Sequence, residues 1–439
     1  METKEYKAFG LWSAIFLGIG SMVGAGIFIV IGEAGTIAGN LVTLSFIIAG
    51  LIALVCGYSL SKLAVHYPSR GGITEYLVHG YGENVFSGTL GVLFYFAQLV
   101  ALAAVSKSFG TYAATYLPTE TLSNEHNFFT ANFFSLSILS FFVLLNLVGA
   151  AVVAKAENVI VFIKLFALAI FTVIALFYMK PSHLSLSQSP DVINVFYALG
   201  LTFFAFQGFS VITNSVEDME DPQATMLKAM TMTIVIVAIL YIAVSIAVFG
   251  NLSLAEVIKS EDYALAQAAK PVLGEWGFKV IAATALLATA SAINATLYAV
   301  TQISYTLAKD GDLPEVYEYH IFHNTEGLLL SALLIVPMIL FLNLSQIASI
   351  AAIAVLVIQG FTHTGHLFKY KETKANIVLL LLAILGSFSA AIFAINYSSK
   401  SMPNLIYYIA GAFTLAFVFE VFMRVVHQRT IKKQHKALI

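Results

Sequence analysis

Four glycines, at positions 18, 20, 24 and 26, crowd the stretch Leu17-Gly18-Ile19-Gly20-Ser21-Met22-Val23-Gly24-Ala25-Gly26-Ile27-Phe28. Three kinds of chemistry use glycine so densely. A dinucleotide-binding loop brings backbone close to phosphate, but it follows a strand and is answered by an acid about 20 residues on. Gly39-Asn40 stand where that acid belongs, and the stretch lies inside a long apolar run. A packing face, here Gly20-xxx-Gly24, lets two helices touch. An unwound helix frees N–H groups for an anion and carbonyls for a cation, where the break lines a cavity. A second interruption, Gln207-Gly208 within Leu201-Thr202-Phe203-Phe204-Ala205-Phe206-Gln207-Gly208-Phe209-Ser210, breaks an aromatic-rich run. The two lie roughly 180 residues apart, about five helix-plus-loop units, which is the pattern of paired broken helices in two five-helix halves. Two unconnected packing glycines are the plainer alternative.

Charged side chains inside apolar runs are the other chemical signal. Lys164 lies in Glu157-Asn158-Val159-Ile160-Val161-Phe162-Ile163-Lys164-Leu165-Phe166. An amine within hydrocarbon costs at least about 2.5–3.5 kcal/mol, so it needs a compensating role. Snorkelling is the bland alternative, but two turns from Glu157 is roughly 10 Å, a long reach for a lysine. Lys107 is a second amine in such a run, without an equally good account. His363 and His366, with Thr-Gly between them, are weak metal spacing without a carboxylate partner. The single cysteine, Cys56, excludes disulfide frameworks and thiolate clusters. No Gly-x-x-x-x-Gly-Lys-Ser/Thr loop exists for an ATP-driven pump. No cofactor, metal or catalytic residue is expected.

The elements that must hold these residues follow from composition. Of 439 residues, 59% are apolar and 10% charged, and the mean hydropathy is +0.88. Soluble domains run near a quarter charged. The apolar excess must face lipid, and a net charge of −2 leaves no basic surface for nucleic acid. Spanning needs about 20 apolar residues. Twelve segments qualify, near 11–37, 41–62, 85–113, 133–153, 157–179, 193–216, 229–250, 277–307, 327–343, 346–365, 376–396 and 404–424. The alternating ten-residue segments of a β-barrel are absent. The start, Lys4 and Lys7 before an apolar run, imitates a signal peptide but reads as an uncleaved first helix. With the N-terminus inside, fifteen basic residues fall on the inner side and five on the outer, with Lys107 and Lys164 in spans. That bias puts both termini in the cytoplasm.

Four further motifs stand in order along the chain: Gly24-Ala25-Gly26-Ile27-Phe28, Pro68-Ser69-Arg70-Gly71-Gly72-Ile73-Thr74-Glu75-Tyr76, Phe203 to Phe209 with the acidic Glu217-Asp218-Met219-Glu220-Asp221-Pro222, and Ala308-Lys309-Asp310-Gly311-Asp312-Leu313-Pro314. Together they resemble the amino acid–polyamine–organocation superfamily of permeases, over roughly residues 10–425. The resemblance implies an all-α, leucine-transporter-like fold of twelve transmembrane helices. This is a 5+5 inverted repeat with discontinuous helices 1 and 6. A single transporter domain then covers 1–425 (repeats about 11–179 and 193–365, then 376–424), and 426–439 is a short basic tail. It also implies a substrate site. The carboxylate of an amino acid meets N–H groups at Gly24, Ala25 and Gly26, beside Ile27. The ammonium meets carbonyls at Met22, Phe204 and Gln207, with Phe204 capping the substrate and Ala205, Phe206 and Ser210 around it. Lys164 then stands where sodium-coupled relatives hold Na⁺ and links the first helix to Ser291 or Asn294 of the eighth as the proton carrier. Two departures are Ala25, where the signature has serine, and Gln302, where many relatives have arginine.

The resulting expectation is an inner-membrane secondary transporter of amino acids, neutral by preference, sodium-independent and proton-coupled. Its partners are substrate, proton and bilayer, with oligomeric state unspecified. An amino-acid/metabolite exchanger is the runner-up, and a non-transporting nutrient sensor a third reading. Only about fifteen residues follow the last span for a signalling tail.

Overall fold

The structure is a computed structural model that describes residues 10–69, 71–117, 124–148, 151–185, 189–321 and 324–427, without the side chains of 25, 124–128, 151–158, 324, 426 and 427. Arg70, the side chains of Ala25 and Lys155, Lys4 and Lys7, and the basic tail past 427 lie outside the described residues. A backbone in hydrocarbon has no water to bond, so it closes its hydrogen bonds within helices. The helices are α1 (Leu11–Ala38), α2 (Val42–His66), α3 (Ile73–Tyr81), α4 (Val85–Ala114), α5 (Asn124–Val148), α6 (Ala151–Phe177), α7 (Ile193–Tyr197), α8 (Leu199–Phe206), α9 (Pro222–Asn251), α10 (Leu254–Lys259), α11 (Ala264–Asp310), α12 (Glu326–Phe341), α13 (Leu344–Phe368), α14 (Ile377–Ser401) and α15 (Leu405–His427).

Among the described residues, ten helical stretches are long and apolar enough to cross a bilayer, and Leu11–Gly24 and Glu326–Phe341 are shorter apolar helices. One of the ten, Gly26–His66, is turned at Gly39, whose φ of 57° suits glycine. α1 is central and packs on α8, α9, α11 and the 3₁₀ segment Gln207–Asp218. α4 is surrounded by α5, α11, α12, α13 and α15 and is buried along most of its length. The rim turns outward: Phe162, Phe166, Val173 and Phe177 of α6 form an exposed apolar face, as lipid contact requires.

Four features differ from the sequence expectation. α1 runs as one helix from Leu11 to Ala38, so the expected interruption of the first segment is absent. The physical reason is packing. A methyl at Gly18 would meet Ile212 at 2.5 Å, at Gly20 Val161 at 2.7 Å, and at Gly24 Ala292 at 2.8 Å. The glycines admit neighbours on several sides instead of unwinding the chain. α5 is described to Val148 and α6 from Ala151, earlier than the expected 153–157, which places Lys164 more than three turns into α6. α11 starts upstream of 277 because Pro271 and Gly274, with φ 66°, join a preceding helical piece across a kink. A two-residue hairpin, β1 (His320–Ile321) with β2 (Asn324–Thr325), was not foreseen.

Candidate functional site

The two glycine-bearing stretches meet. At Gly26 a side chain would strike the Ala205 carbonyl of α8, and would lie 2.8 Å from the Tyr241 hydroxyl. At Gly208 it would lie 2.6 Å from the Met22 nitrogen and the Ser21 carbonyl carbon. Backbone therefore touches backbone over residues 21–26 and 205–208. The sixth segment is interrupted where Gln207-Gly208 suggests: α8 ends at Phe206 and the chain continues as a twelve-residue 3₁₀ helix to Asp218. Runs of this type longer than three or four residues are uncommon and mark hinges or strain.

Side chains from neighbouring helices pin the contact. The Tyr241 hydroxyl of α9 lies 2.7 Å from the Met22 carbonyl and 3.2 Å from that of Ala205, and so bridges α1 and α8. Its ring packs on Phe46 and Phe206, with centroids 5.7 and 5.1 Å away. Phe206 is thus part of an aromatic cluster with α2 and α9. Met22, Ile27, Phe204 and Ala205 are buried, and Gln207 is nearly so. The Ser210 hydroxyl donates to the Gln207 carbonyl at 3.2 Å, within its own 3₁₀ turn. Nothing in the sequence marked Tyr241, one of 20 tyrosines. Its role emerges only once α9 is laid against both segments.

Lys164 is fully buried and donates to the Gly20 carbonyl at 2.7 Å, so its ammonium is spent on α1 and does not snorkel. On α11, Ser291 is buried, while Asn294 accepts a hydrogen bond from Asn146 of α5 at 2.8 Å. The Gly20 carbonyl receives the Lys164 ammonium, and those of Met22 and Ala205 share the one proton of the Tyr241 hydroxyl. A helical carbonyl has a second lone pair for such a bond, so these contacts fix α1 without breaking its ladder. The two histidines also find partners: His363 Nδ1 and His366 Nδ1 each lie 2.8 Å from the Ser59 hydroxyl, joining α13 to α2.

Comparison with known proteins gives the family. The family model described as amino acid permease matches residues 9–430. An uncharacterized protein of Methanocaldococcus jannaschii is 33% identical over 98% of each chain. The inner membrane transport protein YbaT of Escherichia coli is 34% identical, covering 80% of this chain and 81% of that protein. The branched-chain amino acid permease BcaP of Bacillus subtilis is 23% identical, covering 74% and 72%. A many-helix membrane protein with two glycine-bearing segments seated against each other, matched over almost its whole length, belongs to the amino acid permease family of the amino acid–polyamine–organocation superfamily.

Proposed function

We propose that the chain is a secondary transporter that moves neutral amino acids across the cytoplasmic membrane by alternating access, without sodium and coupled to protons. The observation that carries the reading is the seat of residues 21–26 against 205–208, with Lys164 holding the Gly20 carbonyl beside it. A substrate enters where α8 and its 3₁₀ continuation separate from α1, and α1, whole in this structure, must open at the same place to free N–H groups and carbonyls of Met22, Gly24, Ala25 and Gly26 beside those of Phe204 and Gln207. Partial positive charge at helix N-termini suits a carboxylate, and partial negative charge at C-termini suits an ammonium. Ile27, Ala205, Phe206 and Ser210 border that opening. Twelve spans, two five-helix repeats and cytoplasmic termini are the architecture this reading requires.

Coupling rests on Lys164. An ammonium replaces Na⁺ because both are monovalent cations satisfied by oxygen. Loss of its proton weakens the hydrogen bond to Gly20 and frees α1 to move relative to α6, with Ser291 and Asn294 on α11 as the further polar partners. Substrate preference rests on charge. Ser210 and Ala25 offer no carboxylate, and an unpaired guanidinium in an apolar site would lose several kcal/mol of solvation. The relative named as a branched-chain amino acid permease supports an apolar side chain.

The test is uptake into proteoliposomes with a panel of competitors. Neutral amino acids are expected to compete best, a pH gradient to drive accumulation, and replacement of Na⁺ by choline to change nothing. Lys164→Ala should cut pH-driven accumulation by about tenfold or more, roughly 1.4 kcal/mol of coupling, while the protein still inserts. Steep Na⁺ dependence would sink the ammonium argument, and best competition by arginine would sink the charge argument. Equal stimulation by internal substrate without a pH gradient would identify exchange instead.

A further inference from the structure

The last turns of α1 and the 3₁₀ turn Glu261–Tyr263 leading into α11 bring three carboxylates together. Glu33, Glu261 and Asp262 each offer an oxygen within 4.8 Å of the others. The turn is pressed on α1 so closely that the Glu261 carbonyl fills the space a side chain at position 32 would need. Glu33 is 1% exposed, and its Oε1 has no hydrogen-bond partner. Ser345 of α13 stands beside the same carboxyl.

Among the described residues the surrounding charges do not balance. Lys107 of α4 acts electrostatically on Asp262. It is itself buried and donates to Asn132 Oδ1 and, at 2.9 Å, to the Ile339 carbonyl, both neutral. Tyr112, Tyr263 and Tyr397 also face the cluster and add no charge, while Lys270 is engaged by Glu275 at 2.6 Å. Three carboxylates against one ammonium leave two negative charges around Glu33, which is buried, while Glu261 and Asp262 are half-buried. Uncompensated buried charge is strongly unfavourable, so two positive charges must come from elsewhere.

The spacing says what could bring them. Oxygens on opposite sides of a calcium-sized ion stand about 4.6–5.2 Å apart, because each bond is about 2.3–2.6 Å. Separations of at most 4.8 Å fit around such an ion. Carboxylate oxygens are also the donors that hard divalent cations prefer. We propose that Glu33, Glu261 and Asp262 form a site for one hard divalent cation, with Lys107 as the fixed charge that leaves the site two negative charges to neutralise. The cation fastens the turn between α10 and α11 to the end of α1. It acts apart from the contact at residues 21–26, and the inference holds whichever solute the chain carries.

The experiment is a titration of Mn²⁺ into the purified full chain in detergent at neutral pH, following free Mn²⁺ by electron paramagnetic resonance. The expected result is saturable binding that Ca²⁺ displaces, weakened at least about tenfold in Glu33→Gln and in Glu261→Gln. Glu261 lies on a half-exposed turn, so its variant guards against misfolding. Ca²⁺ should raise the Tm of the wild type and of neither variant. No Mn²⁺ binding by the wild type overturns the proposal, and a Glu33→Gln protein that is then more stable identifies protons as the neutralising charge. Unchanged Mn²⁺ affinity in both variants overturns it equally.

Discussion

Tyr241 shows how one atom can hold two segments. Its hydroxyl lies within hydrogen-bond distance of the carbonyls of Met22 and Ala205, on helices that must part if a solute is to reach backbone. Tyr241→Phe keeps the ring among Phe46 and Phe206 but withdraws the hydroxyl from two buried acceptors. The hydroxyl has one proton, shared between the two carbonyls, so at about 0.5–1.5 kcal/mol per hydrogen bond the closed arrangement should lose about 0.5–1.5 kcal/mol of stability. A lower Tm in detergent and faster substrate-independent opening are expected. Accessibility of a cysteine placed at Ser21 is the measure of opening, and equal labelling in wild type and variant would make the hydroxyl incidental. Lys164 was legible in the sequence because an amine in an apolar run demands an explanation, although its partner Gly20 was not. Tyr241 was illegible because a tyrosine in a membrane helix is unremarkable until its neighbours are known.

At the scale of elements, α1 and the sixth segment carry similar glycine signals but different structures. In α1 the missing side chains admit Ile212, Val161 and Ala292, and the helix stays whole. After α8 the chain tightens into the 3₁₀ segment Gln207–Asp218. Glycine spacing alone cannot tell close approach from unwinding, since both need only the absence of a side chain. What separated them here was the set of partners on other helices, which no local window contains. Apolar helix itself, by contrast, is plain in the sequence, because hydrocarbon length is written directly in composition: ten helical stretches among the described residues are long and apolar enough to cross a bilayer. 3₁₀ hydrogen bonds are poorer in geometry than α-helical ones. Amides over 207–218 should therefore exchange with deuterium markedly faster than those of α9, about tenfold or more per 1.4 kcal/mol of lower opening energy. Equal protection would remove the segment as the moving part.

Across the whole molecule, α15 is seated on α4 through a buried carboxylate. Arg424 Nε donates to Glu420 Oε1 at 2.7 Å, and the Glu420 carboxylate sits where a side chain at Gly88 of α4 would be. Asp312, in the loop beyond α11, is buried near the same carboxylate. Burial first, then Glu420 and Asp310, push its carboxyl well above the usual carboxylate range, against the pull of Arg424. A raised folded value means that folded protein holds this proton where unfolded protein has lost it. Stability from this group is therefore present at low pH and falls as pH rises from about 4 through the folded value. Asp312→Asn should flatten that decline and raise Tm at neutral pH, while a variant no more stable than wild type would show the charge to be compensated already. Gly88 has a further consequence, in the order of synthesis. The notch it leaves in α4 is made early in translation, and the residue that fills it is 332 positions later. Chains emerge N-terminus first, so this central helix waits with an open notch while the residues between are made, until the arrival of Glu420 closes it.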